Sequence, residues 1–341
     1  MQLVTAPVDA KLADWIARNA GLHDVEVGER LAGGNANVTR LVRAREGRFV
    51  LRHPPADTVS DKASAGIARE FAAISALHGR APVAAPVVFC EDAGVIGQPF
   101  SLTGFVEGLS LTDSLPASYG ADGVERIGLS LMQTLGAIHR VDPAPLQAHG
   151  FGRPEGFAER QIRRWLKVRG EQAVRDLPLL HEIADWLLAN RPQEGAPAII
   201  HCDFHLDNCL SAPDRAEVRA VIDWEMATLG DPLVDLGLCL FFWKRDPAAS
   251  LGFGFVQALS NRPDAPDRAR MADAWGQASG RDHAGLDWHM VFSAWRLAAI
   301  VEGAWVLHVE GKVCSDYSRG LERDVPALLH EAAALVEGAA R

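Results

Sequence analysis

The stretch HCDFHLDNC, residues 201 to 209, gathers two His, two Cys, two Asp and one Asn into nine positions. Three chemistries can use such a set. His201, Cys202, His205 and Cys209 are all zinc-ligand types, and the spacing from His201 to His205 fits the short His pairs of structural zinc sites, although no C-x-x-C knuckle occurs in the chain. Cys202 beside His201 raises a nucleophilic thiol, for which adjacency in sequence does not supply the activating geometry. The third set is the oxygen donors: Asp203, then Asn208, then Asp223 at the end of the apolar run RAVID. A base for a hydroxyl proton, followed by an amide and a carboxylate able to ligate a divalent cation, is the order that phosphoryl transfer from a nucleotide requires.

These residues need elements to hold them. The apolar runs APAII and VRAVIDW on either side of the loop read as strands, which turn-capping roles for the three polar residues would not predict. PLVDLGLCLFFW reads as the next helix, and ERIGLSLMQTLGAIHRVD as a strong earlier one, closed by Pro143 and Pro145. Nearer the N-terminus, DAKLADWIARNAG reads as an amphipathic helix with Asp9 as N-cap and Gly21 as terminator. Two β-rich runs about REGR read as a hairpin entered through a glycine turn, and ASAGIAREFAAISALHG places Ile67, Phe71 and Ile74 at helical spacing. The mixed character of the first hundred residues gives way to helix near Gly104 to Gly108, the expected lobe boundary.

Length and charge narrow the classes. At 341 residues the chain exceeds the usual reach of one core, so two lobes are expected, and 48% hydrophobic residues supply them. Acidic residues outnumber basic ones by 44 to 34 without a basic arm, which argues against a nucleic-acid partner. The N-terminal residues lack the pattern of a signal peptide, and VFSAWRLAAIVEGAWVL, carrying Arg296 and Glu302, reads as too short and too charged to span a membrane. Five scattered Cys do not suggest a disulfide framework, and a cytoplasmic setting without a membrane partner is the expectation.

HCDFHLDN followed by VIDWEMATLGDPLVDLG resembles the catalytic and metal-binding segments of the aminoglycoside phosphotransferase and choline kinase superfamily, with H-x-D-x-x-x-x-N, I-D-x-E and G-D-P-x-x-D-L in order. The resemblance implies an α+β, protein-kinase-like bilobal fold: an antiparallel-sheet N-lobe over 1–104, a hinge at 105–108 and a mainly helical C-lobe over 109–341. It implies that Asp203 is the catalytic base with His201 bracing its loop, and that Asn208 and Asp223 ligate Mg2+ with Glu225 beside the metal. Asp235 is expected to accept loop N–H groups, and Cys202 stands where the family more usually has Gly. The cofactors implied are ATP, with GTP as the alternative, and Mg2+.

The N-terminal half offers matching parts. GGNANVT supplies a turn in which Gly33 and Gly34 admit phosphate close to the backbone, with Asn35, Asn37 and Thr39 adding polar groups. On RFVLR, Val50 and Arg52 share one face by strand periodicity. By resemblance Val50 roofs the base, Arg52 reaches the phosphates in place of the usual Lys, Glu70 pairs with Arg52, and the backbone of Phe105, Val106 and Glu107 meets the base. An Arg is not an equivalent of Lys at such a position.

The resemblance implies that the acceptor is a small-molecule hydroxyl. Arg160, Arg164 and Lys167 at helical spacing, with Arg163 alongside, would repel a polycationic aminoglycoside and attract an anionic acceptor, if they are more than a solvated stripe. Trp165 reads as core. RFVLRHPP with ERQIRRW also resembles the subgroup related to the kinase-like domain fused to some acyl-CoA dehydrogenases, implying a hydroxyl-bearing acyl or acyl-CoA acceptor. The competing readings are a non-catalytic nucleotide-binding module and an aminoglycoside kinase. A protein kinase is disfavoured by the lack of D-F-G and A-P-E segments. Arg296 and Glu302 are read as an intrahelical salt pair or as packing, with acceptor contact as the alternative.

Overall fold

The computed structural model describes residues 7–31, 37–55, 61–148, 150–245, 253 and 255–339, and divides into two compact units. The first comprises residues up to Gly108 together with Arg219–Ala227, and the second comprises Leu109–Val218 and Thr228 onward.

The first unit is a five-stranded antiparallel sheet with helices against it. Helix α1 (Pro7–Ala20) buries Leu12 and Ile16, one turn apart, and sets Trp15 edge-on against Phe100. Because the helix already begins at Pro7, Asp9 lies in its first turn instead of capping it, and its carboxylate accepts from Arg40 at 2.6 and 3.0 Å. Strands β1 (Glu26–Arg30), β2 (Val38–Ala44), β3 (Gly47–His53), β4 (Pro86–Cys90) and β5 (Phe100–Gly104) run in the order β1-β2-β3-β5-β4. The β2–β3 hairpin pairs Ala44 with Gly47 and Thr39 with Arg52. On β3, Leu51 enters the core while Val50 and Arg52 share the other face. Helix α2 (Asp61–Leu77) turns Ile67, Glu70, Ile74 and Leu77 inward, so a carboxylate rides on an otherwise apolar stripe. A short helix, α3 (Ala93–Ile96), is capped by Asp92.

The second unit opens with β6 (Leu109–Ser110) and α4 (Gly123–His139), whose Ile127, Leu131, Leu135 and Ile138 form one buried stripe. After α5 (Ala144–Ala148), α6 (Phe157–Glu171) and α7 (Pro178–Ala189) comes β7 (Ala198–Ile200), wholly buried, with the loop of interest behind it. The loop runs directly into β8 (Cys209–Ser211), which pairs with β6. Strand β9 (Val218–Val221) leads out of this unit, and on return β10 (Thr228–Gly230) pairs antiparallel with β7. The sequence reading missed β1, β6, β8 and β10. The last three are two or three residues long, too short for a period of two to register.

Helices α8 (Leu233–Phe242), α9 (Arg268–Ser279), α10 (Leu286–Val309) and α11 (Asp316–Ala339) complete this unit. Helix α10 is long and apolar enough by composition to cross a membrane, yet here it forms the middle of the core, with Phe292, Trp295 and Ala299 against α6, α7, α8 and α11. Each large apolar side chain so buried contributes about 1.5–3 kcal/mol. Helix α8 meets α10 so closely at Gly237 that an added Cβ would stand 2.7 Å from the backbone of His289. Arg296 and Glu302 form no intrahelical pair: Arg296 donates to the Cys202 carbonyl at 3.1 Å, and Glu302 pairs with Arg175 of the α6–α7 connection.

Candidate active site

Within the second unit, the loop from His201 to Asn208 is fixed by buried groups on every side. Asp235, fully buried in the first turn of α8, accepts the N–H of His201 at 2.6 Å and of Cys202 at 2.7 Å. It also accepts from His139 Nε2 at 3.3 Å, and Trp275 donates to the other nitrogen of that ring at 3.0 Å, which sets the tautomer. Cys202 has φ +68, the left-handed region in which the usual Gly is unstrained. Its carbonyl receives Arg296, and His201 Nδ1 accepts the Asp203 N–H at 3.3 Å.

Asp203, half-exposed, has its Oδ1 3.6 Å from His205 Nε2. Asn208 donates from Nδ2 to the Asp203 carbonyl at 2.8 Å and to Asp203 Oδ2 at 3.0 Å, so the amide oxygen faces away, bearing no hydrogen bond. His205 sits between two carboxylates, with Nδ1 3.3 Å from Asp207 Oδ2. Burial opposes the imidazolium, but the close carboxylates of Asp203 and Asp207 outweigh it and hold His205 up to about 9. Desolvation within the loop likewise opposes the Asp203 charge, and the nearby His205 ring, with His201 and the Asn208 hydrogen bond, brings its carboxyl down to about 2. Asp203 is therefore an ionised acceptor at neutral pH.

Cys202, the thiol weighed as a nucleophile, is buried, and its carbonyl accepts from Arg296. Cys209 and Cys239 are fully buried, and burial pushes their thiols upward. Among the described residues no three His, Cys, Asp or Glu gather as metal donors. A Mg2+ site does not require such a cage, since that ion takes one or two carboxylates and completes its shell with water and phosphate oxygens.

In the first unit Arg52 joins two carboxylates. Its Nη1 lies 2.6 Å from Glu70 Oε1 and its Nη2 3.0 Å from Asp223 Oδ1, with Glu225 at 4.0 Å. Glu70 is 3% exposed; burial pushes its carboxyl up, Arg52 draws it back, and Asp223 and Glu225 add to the rise, leaving it at about 7. Asp223 has φ +66 and keeps one oxygen free of hydrogen bonds. Asn37, expected at the phosphates, donates to Glu225 at 2.9 Å. Thr39 pairs in register with Arg52, while Gly33, Gly34 and Asn35 lie outside the described residues. In the connector, the Phe105 N–H donates to the Arg48 carbonyl at 3.0 Å, Arg48 stacks over the Phe105 ring, and Arg219 donates to the Glu107 carbonyl at 3.2 Å. Val106 between them is half-buried.

The basic stripe on α6 is locally spent. Arg163 pairs with Glu159 and Lys167 with Glu171, Arg160 caps carbonyls of Glu155 and Arg153, and Arg164 lies over Trp165. Trp165 packs against the core, as read. The sequence reading missed Gln257, fully buried, whose Oε1 accepts the Leu206 N–H; a lone Gln among apolar neighbours, outside any motif, carries no local signal.

A small antiparallel-sheet unit, a helical unit, and a buried loop that carries an ionised Asp with an amide fastened to it define a kinase-like phosphotransferase. The chain belongs to the phosphotransferase enzyme family, matched over residues 27–274. It is similar to acyl-CoA dehydrogenase family member 11 of Mus musculus, 31% identical over 295 residues, which cover 84% of this chain and 37% of that protein. The chain spans only about a quarter to two fifths of the curated relatives it matches first. Among solved structures, a Ralstonia eutropha protein assigned to the aminoglycoside phosphotransferases superposes with TM-score 0.82 and 29% identity, over 96% of this chain and 98% of that one. Spectinomycin phosphotransferase, in complex with ADP and spectinomycin, shares the fold at TM-score 0.63 and 12% identity, over 98% and 99% of the two chains. The chain is a small-molecule kinase by family and fold.

Proposed function

We propose that the chain transfers the γ-phosphoryl group of ATP to a hydroxyl of a small acyl compound or its thioester, with Asp203 as the base. The observation that carries this reading is the Asp203 carboxylate, ionised at neutral pH and fastened to the Asn208 amide. Asp203 accepts the acceptor's hydroxyl proton as the oxygen attacks the γ-phosphorus, and His201 and Asp235 hold the loop while it does so. Arg52 meets phosphate oxygens, exchanging its bond to Asp223 for them. Val50 covers the adenine, and the Phe105–Glu107 backbone contacts its edge.

The oxygen donors suit Mg2+. In the second unit the Asn208 amide oxygen bears no hydrogen bond, and in the first the Asp223 carboxylate keeps one oxygen free, with Glu225 near it held by Asn37; each is a hard ligand of the kind Mg2+ takes. When bound, the ion would neutralise charge on the phosphates.

An acyl acceptor is supported by the relatives, which are named as acyl-CoA dehydrogenases. An aminoglycoside acceptor is supported by the fold neighbours, at lower sequence identity in the antibiotic complex. The test is nucleotide consumption with ATP or GTP and Mg2+, over hydroxyacyl-CoA thioesters, free hydroxy acids and aminoglycosides, with phosphorylated product identified by mass spectrometry. Asp203→Asn should lose at least about 1,000-fold in kcat while still binding nucleotide. Retained turnover in that variant refutes the assignment, and phosphorylation of aminoglycosides alone refutes the acyl acceptor.

A further inference from the structure

The loop carrying Asp203 and Asn208 is fastened from outside its own motif. Gln257 opens the short turn Ala258–Asn261 with φ +51 and no exposure. Its Oε1 accepts the Leu206 N–H at 2.9 Å, and its backbone N–H donates to Asp207 Oδ2 at 3.0 Å. The bonding is reciprocal: each segment offers a main-chain N–H to a side chain of the other. Gln257 Nε2 then donates to the Cys239 carbonyl of α8 at 2.8 Å, tying the pair to the helix that bears Asp235. On the other side Asp207 continues to His205, and His205 Nε2 lies 3.3 Å from Asn208 Nδ2.

Only a neutral amide satisfies this position. It must accept from one main-chain N–H and donate to one carbonyl, next to a carboxylate. Glutamate would lack the donor and add a second buried negative charge, and a methionine of similar length would leave the Leu206 N–H unpaired and the Cys239 carbonyl with the Trp243 N–H alone.

We propose that Gln257 is a positioning residue for phosphoryl transfer: by clamping Leu206 and Asp207 it fixes the distance between the base Asp203 and the amide Asn208. The roles of Asp203 and Asn208 rest on the function proposed above; the clamp itself rests on the bonds alone. Gln257 touches neither reacting group, so its loss lowers the rate of transfer and leaves nucleotide binding in place.

Two measurements on the full chain test this. Hydrogen exchange of the native protein should show the Leu206 and Gln257 amides opening together; a Leu206 amide exchanging more than about 100-fold faster than that of Gln257 overturns the clamp. In the nucleotide-consumption assay Gln257→Met should lower kcat by about 100-fold, as misplacement by an ångström does, with the KM for ATP changed less than about threefold. An unchanged kcat, or a loss confined to KM, overturns the positioning role. A native chain that consumes no nucleotide refutes the function above instead, and the exchange result then decides the clamp, as it does should the variant fail to fold.

Discussion

Replacing Arg52 by methionine isolates the charge of Glu70. Arg52 binds Glu70 at 2.6 Å and Asp223 at 3.0 Å, and it is the countercharge that keeps the buried Glu70 carboxyl from rising beyond about 7. Methionine fills similar volume without charge, so the Glu70 value climbs further. Between its ordinary value near 4.5 and about 7, folded Glu70 keeps its proton in both proteins while the unfolded chain has lost it, so both lose stability in parallel as pH rises. Above about 7 the native protein accepts the charge and its loss at this site ends. The variant goes on losing about 1.4 kcal/mol per pH unit until its own higher value is reached. The difference in unfolding free energy between the two should thus be about 2 kcal/mol larger at about pH 8.5 than at about pH 6. Urea unfolding followed by circular dichroism measures it, and adding Glu70→Gln should abolish the extra pH dependence. A difference constant to within about 0.5 kcal/mol over that range would mean that Glu70 is ionised throughout, and the reasoning would fail.

Asp235→Ala strands three buried donors, on His201, Cys202 and His139, and should cost about 3–5 kcal/mol by thermal or urea unfolding. At Cys202, left-handed backbone and a buried thiol oppose one another, so Cys202→Gly should change stability by less than about 1 kcal/mol, while β-branched Cys202→Val should cost more than about 2 kcal/mol. His205, raised from 6.5 to about 9, contributes stability that is complete below about 6.5 and lost as pH rises through about 9. Its ring resonances should stay those of an imidazolium from about pH 5 to 8 in an NMR titration, and a midpoint near the ordinary histidine value would contradict the placement between two carboxylates.

The loop was legible because phosphoryl transfer demands residue types at fixed spacing, a pattern that Asp203, Asn208 and Asp223 follow, and the structure fastens the Asn208 amide to Asp203 as one unit. The helix Gly123–His139 and the hairpin about Ala44 and Gly47 were legible from periodicity and turn chemistry. What escaped has a different physics. Glu302 chose Arg175 over a neighbour on its own helix, Asn37 turned to Glu225, and Gln257 reached across about fifty residues to Leu206. Such choices are settled by tertiary packing, which places partners that no local pattern records. The Arg160 to Lys167 stripe was legible as charge, with a solvated stripe as one of its two readings, whereas its partners Glu159, Glu171 and nearby carbonyls emerge only in the fold.

The close seating of Gly237 on His289 also bears on how such an enzyme can diverge. Helix α8 brings Asp235 to the loop, α10 brings Arg296 to the same loop, and the glycine leaves these two helices a single spacing. Substitution is therefore closed along that seam and open on the solvent-facing sides of α6, α7 and α11, where a new side chain need not disturb the loop that carries Asp203. A chain built this way can change its outer helices while the spacing that holds the loop stays as it is.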